Sequence, residues 1–182
     1  ISVGVNALSS GENSTSLGVG ANASAKDTIS IGTNAKTSDV NAIALGINSK
    51  SLSGNAVAIG LRSEAAGTDS IAIGSIAKTS DVNAIALGNQ ATASKANTIA
   101  LGTNSKASAA STIALGNQAE ASVFQSIALG SSAKASAADT VALGTGSIAS
   151  GNSAIALGNK AQALGSNSIS IGKGNIVSGK NS

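Results

Sequence analysis

One five-residue phrase, SIAIG at residues 70–74, recurs with small changes along the whole sequence. Two close variants are TISIG at 28–32 and AIALG at 42–46. The glycine that closes the phrase stands at every fourteenth residue from Gly4 to Gly172, which gives thirteen copies without an insertion. Because a fixed period indicates a repeat architecture, each residue is best interpreted by its place in the repeat.

Positions in the repeat are counted from this glycine, which is position 0. Positions −3 and −1 carry Ile, Leu or Val in nearly every copy, and position −2 between them carries only Ala or Ser. Positions +3 and +5 are mostly Ala. Apolar residues therefore alternate with a period of two, which predicts two short strands per repeat and excludes a helix. The pattern favours an all-β fold, a parallel β-roll or β-solenoid of about 13 fourteen-residue coils.

Two positions have the residue types that tight turns need. The invariant glycine follows the first strand, where the chain must turn, and glycine allows a positive φ or a close approach of two backbones. Position +9 is usually Asn or Asp, as at Asn41 and Asn83. Asn tolerates the left-handed conformation, so we expect the second corner of each coil there.

The alternation leaves open which side of each strand faces the interior. We expect the large residues of the first strand to point inward and to pack on the Ala residues at +3 and +5. The expected core residues are Ile43, Leu45, Ile71, Ile73, Ile99, Leu101, Ile127, Leu129, Ile155 and Leu157.

On that interpretation position −2 points outward, and its restriction to Ala and Ser indicates a surface that is covered. A roll this thin buries little apolar area for the residues that it orders, so contact with another copy would add to its stability. We therefore expect a homo-oligomer. The expected subunit interface comprises Ser30, Ala44, Ala58, Ala72, Ala86, Ala100, Ala114, Ala128, Ala142, Ala156 and Ser170.

Position +4 varies between charged, polar and apolar residues, as an exposed surface does. This row, with one neighbouring Arg, is the expected ligand-facing surface. Its charged members are Lys36, Lys50, Arg62, Glu64, Lys78, Lys106, Glu120 and Lys134.

The composition argues against several classes of function. The sequence has no His or Cys and shows no catalytic carboxylate pair, so neither an enzyme nor a metal or cofactor site is expected. The net charge of +3 comes from dispersed basic residues, and there is one aromatic residue. Nucleic-acid binding is not expected, since such proteins cluster basic residues and often interleave aromatic ones.

The segments NAVAIGLRS at 55–63 and NTIALGTNS at 97–105 resemble the repeated motif of the YadA-like heads of trimeric autotransporter adhesins. The resemblance extends over residues 1–182. It implies a left-handed, single-stranded β-roll, assembled side by side as a homotrimer. It also implies display on the bacterial surface, anchored in the outer membrane. The sequence would then be a fragment of a longer head, with the neck, stalk and membrane anchor outside this chain.

The resemblance further implies attachment to collagen, laminin, fibronectin or host cell surfaces, or autoagglutination with other bacterial cells. In collagen-binding members the motif itself is tied to binding, and its counterparts here are Asn55, Val57, Ile59, Gly60 and Ser63. The period-two pattern favours a scaffold role for these residues, with Val57 and Ile59 buried. An ice-binding or purely structural solenoid is the alternative, although ice-binding arrays favour outward Thr ladders.

Two features depart from the simple repeat: a duplicated segment and a single aromatic residue. Residues 35–46 recur unchanged at 77–88, which places Lys36 and Asp39 and their counterparts in two identical surface patches. Duplication explains this recurrence, and shared ligand contact is the alternative. The single aromatic residue, Phe124, falls in a turn; it either folds over the neighbouring coil or stands exposed as an anchor for a partner.

Overall fold

The computed structural model describes residues 1–182 and contains 26 short strands and no helix. No segment therefore has the long apolar helix that a membrane span would need. Each coil contributes one strand before its glycine and one after it, in chain order. The all-β parallel solenoid of about 13 coils is confirmed.

The strands before the glycine are odd-numbered: β1 Ser2–Val3, β3 Thr15–Leu17, β5 Ile29–Ile31, β7 Ile43–Leu45, β9 Val57–Ile59, β11 Ile71–Ile73, β13 Ile85–Leu87, β15 Ile99–Leu101, β17 Ile113–Leu115, β19 Ile127–Leu129, β21 Val141–Leu143, β23 Ile155–Leu157 and β25 Ile169–Ile171. The strands after it are even-numbered: β2 Leu8–Ser9, β4 Asn22–Ala23, β6 Lys36–Thr37, β8 Lys50–Ser51, β10 Glu64–Ala65, β12 Lys78–Thr79, β14 Thr92–Ala93, β16 Lys106–Ala107, β18 Glu120–Ala121, β20 Lys134–Ala135, β22 Ile148–Ala149, β24 Gln162–Ala163 and β26 Ile176–Val177.

The chain divides into two compact units, residues 1–91 and residues 92–182. Within each unit a strand pairs in parallel with the equivalent strand of the next coil. In the first unit Ile71 lies beside Ile85, and in the second unit Ile113 lies beside Ile127. Each repeat position therefore forms a row of equivalent residues, one per coil.

The interior of the coils is filled by small side chains. Beyond the first coil, Ala at +3 and +5 is fully buried as expected, for example Ala91 and Ala93. The side of the first strand that faces inward, however, is the one carrying position −2. The predicted orientation of this strand is therefore wrong. The residues expected in the core lie outside, and the residues expected at the subunit interface lie inside.

The ten residues expected in the core lie on the outer surface, half-buried or exposed. They are Ile43, Leu45, Ile71, Ile73, Ile99, Leu101, Ile127, Leu129, Ile155 and Leu157. The eleven residues expected at the subunit interface have no exposed surface in a single chain, so they cannot contact another copy. They are Ser30, Ala44, Ala58, Ala72, Ala86, Ala100, Ala114, Ala128, Ala142, Ala156 and Ser170.

The narrowness of the coil explains this arrangement. The hydroxyl oxygens of Ser30 and Thr37, which belong to the two strands of one coil, lie 3.0 Å apart across the interior. Ser51 Oγ likewise donates to the Ala56 carbonyl oxygen at 2.7 Å. Ordinary packed sheets are separated by about 10 Å. Side chains as short as Ser and Thr already meet here, so Ile or Leu would not fit.

Most buried hydroxyl groups at position −4 find a partner in their own turn; Ser126 is an exception. At position −4, Thr28 Oγ1 donates to the Ala25 carbonyl oxygen at 2.7 Å. Ser70 Oγ does the same to the Gly67 carbonyl oxygen at 2.6 Å. Burial of a polar group is costly unless it is hydrogen-bonded, and these local bonds let Ser and Thr substitute for Ala.

Both turn predictions are confirmed. Gly60 has a φ of +127°, and a Cβ added there would lie 2.5 Å from the Gly74 carbonyl oxygen of the next coil. Asn41 and Asn83, at +9, have φ values of 57° and 54°. A further left-handed corner occurs at +2. Seven of the thirteen copies carry Asn or Gly there, but others, such as Arg62, carry residue types that do not indicate such a corner.

Candidate ligand-binding surface

The outward side of the odd-numbered strands is apolar. We call rows −3 and −1 the apolar face. Ile29, Ile73 and Leu101 on this face are 37%, 37% and 38% exposed. Exposed apolar surface of this kind, within either unit, is typical of a protein interface. The size limit of the interior forces this surface outward, because the large residues of each first strand have nowhere else to lie.

The outward side of the even-numbered strands is mostly polar or charged, with Leu8, Ile148 and Ile176 as apolar exceptions. We call rows +2 and +4 the variable face. All eight predicted ligand-facing residues lie on it: Lys36, Lys50, Arg62, Lys78, Lys106 and Lys134 are exposed, and Glu64 and Glu120 are half-buried. Their outward placement agrees with the sequence pattern, and their contact with a ligand stays a prediction.

Two ion pairs connect neighbouring coils along row +4. Lys78 Nζ lies 2.9 Å from Glu64 Oε1 in the first unit. Lys134 Nζ lies 3.8 Å from Glu120 Oε2 in the second. Ion pairs at a surface contribute little stability, at most about 1 kcal/mol. Their main effect is to decide which charges of the row remain unneutralised.

Shallow grooves run between rows +2 and +4 in both units. In the first unit a groove of about 290 Å³ is lined by Asn48, Lys50, Arg62, Ser63 and Glu64. In the second unit a groove of about 390 Å³ is lined by Asn104, Lys106, Gln118, Ala119, Glu120, Ser132 and Lys134. Their open shape and polar lining suit a ligand that lies along the surface. Sequence reasoning identified row +4 but missed most of row +2, whose position beside the groove depends on the second left-handed corner.

The chemistry of these grooves is that of binding. No group of three or more His, Cys, Asp or Glu side chains is arranged to hold a metal ion. The polar groups available are ammonium, guanidinium, amide, hydroxyl and carboxylate. Such groups can donate to and accept from a ligand, and the cations add attraction for negative charge.

The motif residues named by the resemblance take different places. Val57 and Ile59 lie on the apolar face and are half-buried, so their predicted burial in the interior is wrong. Ser63 is fully buried, and its hydroxyl donates to the Gly60 carbonyl oxygen at 3.0 Å. Asn55 is exposed at the second turn. These contacts agree with a scaffold role for the buried part of the motif.

The second turn carries an exposed ladder of amides and carboxylates. Asn41 Nδ2 donates to Asn55 Oδ1 at 3.0 Å, and Asn55 Nδ2 donates to Asp69 Oδ1 at 2.8 Å. In the two identical segments, Asp39 and Asp81 each accept a hydrogen bond from the following backbone N–H. These hydrogen bonds indicate that the turn residues stabilise the fold.

Phe124 stands in the corresponding turn of the second unit and is 50% exposed. About half of its surface is therefore covered by the protein, and the other half faces solvent. Both interpretations of this residue, packing on the coil and contact with a partner, are compatible with such partial burial.

Comparison with known proteins finds similarity to one protein family and to a solved structure. The sequence matches the family model described as YadA head domain repeat, which contains two copies, in ten segments, most of which overlap. They are residues 1–21, 9–35, 23–49, 38–63, 53–75, 65–91, 80–105, 93–119, 124–147 and 149–175. Comparison with curated proteins gives no match.

Among solved structures, the chain is similar to one described as the collagen-binding domain of the Yersinia adhesin YadA. The two are 25% identical, with a TM-score of 0.49. The match covers 80% of this chain and 65% of that chain, so this chain spans less than two thirds of that structure.

Proposed function

Because this chain belongs to the family of YadA head domain repeats, we propose that it acts as the head region of a bacterial surface adhesin. Its role is attachment without catalysis. Its targets are extracellular matrix proteins such as collagen, laminin or fibronectin, host cell surfaces, or other bacterial cells. In this proposal, parts of the polypeptide outside the chain anchor the head in the outer membrane.

The observation that carries this proposal is that some rows are buried and uniform, whereas row +4 is exposed and varied. Fully buried rows hold Ala, Ser and Thr in scaffold contacts, as Ala72 and Thr79 illustrate. Row +4 instead changes from coil to coil and faces solvent, for example Lys50, Glu64 and Lys78. A regular scaffold that presents a varied polar surface is suited to recognition by many weak contacts.

We also infer that the head is a homotrimer, with the apolar face covered by the neighbouring copies. The support is the exposure of large apolar side chains on that face, including Ile155 and Leu157, each 38% exposed. Burial of apolar area gives about 25 cal/mol per Å², and an entire face of Ile and Leu is available. The contact residues are then rows −3 and −1, in place of the buried row −2.

A binding panel tests the adhesin function. The recombinant chain is added to immobilised collagen, laminin and fibronectin and to epithelial cells, with albumin as the control surface. We expect saturable binding to at least one target. An assay of ice recrystallisation is run on the same protein. Ice activity without adhesion or self-association would replace the adhesin by the ice-binding alternative.

A further inference from the structure

Charge is segregated around the coils of the first unit. Four basic residues, Lys36, Lys50, Arg62 and Lys78, lie on the variable face of four consecutive coils, and we call them the basic strip. Glu64 is the one acidic residue among them. The unit's other acidic residues all lie in the second turns, at Glu12, Asp27, Asp39, Asp69 and Asp81. The strip is therefore a mainly positive surface, whereas the second turns hold the unit's other acidic residues together with Lys26.

Within the strip, two lysines face each other without an acidic partner. Lys36 and Lys50 are direct neighbours in the parallel ladder, where strands lie about 4.8 Å apart. Glu64 is the next residue in the row, but its carboxylate pairs with Lys78 at 2.9 Å. Like charges side by side on adjacent strands are destabilising. A ligand with negative charge would relieve this repulsion.

The strip also has the shape and donor groups for an extended ligand. Lys50, Arg62 and Asn48 line the same open groove together with Ser63 and Glu64, and the cations follow one another coil by coil. Ammonium and guanidinium groups form short, charge-assisted hydrogen bonds with anionic oxygens, and guanidinium can bind two of them at once. A linear polymer with regularly spaced anionic groups would match this row.

We propose that the basic strip binds a linear sulfated polysaccharide along the variable face of the first unit. The inference rests on the proposed function, since such polymers are met at cell surfaces and in the extracellular matrix. A nucleic acid would supply similar charge. The first unit has no aromatic residue on which bases could stack, however, and stacking is a main source of affinity for single strands.

The test is a titration of the 182-residue chain with a size-defined heparin fragment at physiological salt. The strip variant is Lys36→Gln, Lys50→Gln and Arg62→Gln combined. The matched control removes the same charge from exposed turn residues, with Lys95→Gln, Lys173→Gln and Lys180→Gln combined. We expect Kd to rise at least about tenfold in the strip variant and to stay within about twofold in the control. Circular dichroism establishes that both variants are folded.

Conservative exchange and competing polymers complete the test. A variant with Lys36→Arg, Lys50→Arg and Arg62→Lys keeps the charge, and we expect it to retain binding. Neutral dextran should not bind, and duplex DNA should bind more weakly than heparin. Equal weakening in the strip and control variants, no heparin binding, or tighter binding of DNA would each overturn the inference.

The matrix and cell panel, run in parallel, separates the two proposals. Adhesion without heparin binding overturns the polysaccharide site and leaves the adhesin function standing. Heparin binding that is lost in the strip variant, without adhesion to any matrix protein or cell, supports the site and contradicts the adhesin function.

Discussion

At the scale of single residues, the interior imposes a strict size limit. Lys106 and Ala107 are neighbours in β16, but Lys106 is exposed and Ala107 is fully buried. Replacing Ala107 with Leu would add three carbon atoms at a position where, in an equivalent coil, the hydroxyl oxygens of Ser30 and Thr37 already lie 3.0 Å apart. Overpacking of a core commonly costs about 1–3 kcal/mol, and so thin a roll has little room to relax.

We therefore expect Ala107→Leu to lower the free energy of unfolding by about 3 kcal/mol or more, and Lys106→Leu to change it by about 0.5 kcal/mol at most. Denaturant unfolding followed by circular dichroism measures both. If Ala107→Leu lowered the free energy of unfolding no more than Lys106→Leu does, the inward placement of this row would be contradicted.

The glycine at position 0 is constrained by both its conformation and its neighbour. Gly60 combines a φ of +127° with a gap of 2.5 Å between an added Cβ and the Gly74 carbonyl oxygen. We expect Gly60→Ala to cost at least about 2 kcal/mol of stability. Thermal unfolding measures the effect.

The control for this substitution is a glycine at a different corner. Gly146 has a φ of +63°, and an added Cβ would meet only the Lys160 Cγ atom, at 3.5 Å. Equivalent positions carry Asn48 and Asn104. Gly146→Asn should therefore be nearly neutral, and equal losses in the two variants would refute the importance of close approach.

At the scale of the structural element, the second turn is stabilised by its ladder as well as by its conformation. Asn55 accepts from Asn41 at 3.0 Å and donates to Asp69 at 2.8 Å, with a φ of 56°. Asn55→Gly removes both hydrogen bonds and keeps the left-handed corner accessible. Asn55→Ala removes the bonds and penalises the conformation as well.

We expect the Gly variant to lose about 1 kcal/mol, from two exposed hydrogen bonds, and the Ala variant to lose about 1–2 kcal/mol more. Thermal and denaturant unfolding of the two variants separate the contributions. If the Gly variant were the less stable one, backbone conformation would not be what selects Asn at this corner.

The strands show what their residue pattern can and cannot predict. Alternation at Ile43, Ala44 and Leu45 predicts a strand, and the fixed period predicts its stacking on equivalent strands. It does not determine which side is inside, because either choice satisfies a period of two. The deciding quantity is the distance between the two strands of one coil. Only the four rows −4, −2, +3 and +5 taken together, all with small residues, indicate that this distance is short.

The variable face was partly predictable for a similar reason. Row +4 reveals its exposure through variation, as between Lys50 and Glu64. The groove beside it depends on the corner at +2, where Asn48 and Arg62 share one conformation despite unrelated side chains. Asn or Gly in seven of the thirteen copies indicates this corner, whereas residues such as Arg62 obscure it. The pairing of Glu64 with Lys78, instead of with Lys50, is likewise visible only in three dimensions.

At the scale of the whole molecule, the apolar face should control assembly. We expect Ile113→Lys and Leu115→Lys combined to dissociate the proposed homotrimer into monomers, because both residues lie on this face and each chain would bring two charges against an apolar surface. Their outward orientation should leave the interior intact. Sedimentation at micromolar concentration measures the mass, and circular dichroism measures the fold.

The control places the same charges on the variable face, as Gln118→Lys and Gln162→Lys combined. This variant should remain trimeric. A wild-type chain that sediments as a folded monomer at the same concentration would refute the homotrimer, and equal dissociation of both variants would show that the apolar face is not the contact.

The identity of residues 35–46 and 77–88 has a consequence for inheritance. The two segments are three coils apart, so joining Asn34 directly to Ala77 would excise three complete coils. Because the segments are identical, Asn34 would still be followed by the same twelve residues as before. Every remaining residue would keep its row, and Lys78 would occupy the place of Lys36. Recombination between such segments could therefore shorten the protein in one genetic step, deleting Lys36, Lys50 and Arg62 without a faulty junction. A lineage could lose most of the proposed basic strip in this way while the remaining coils kept their repeat pattern.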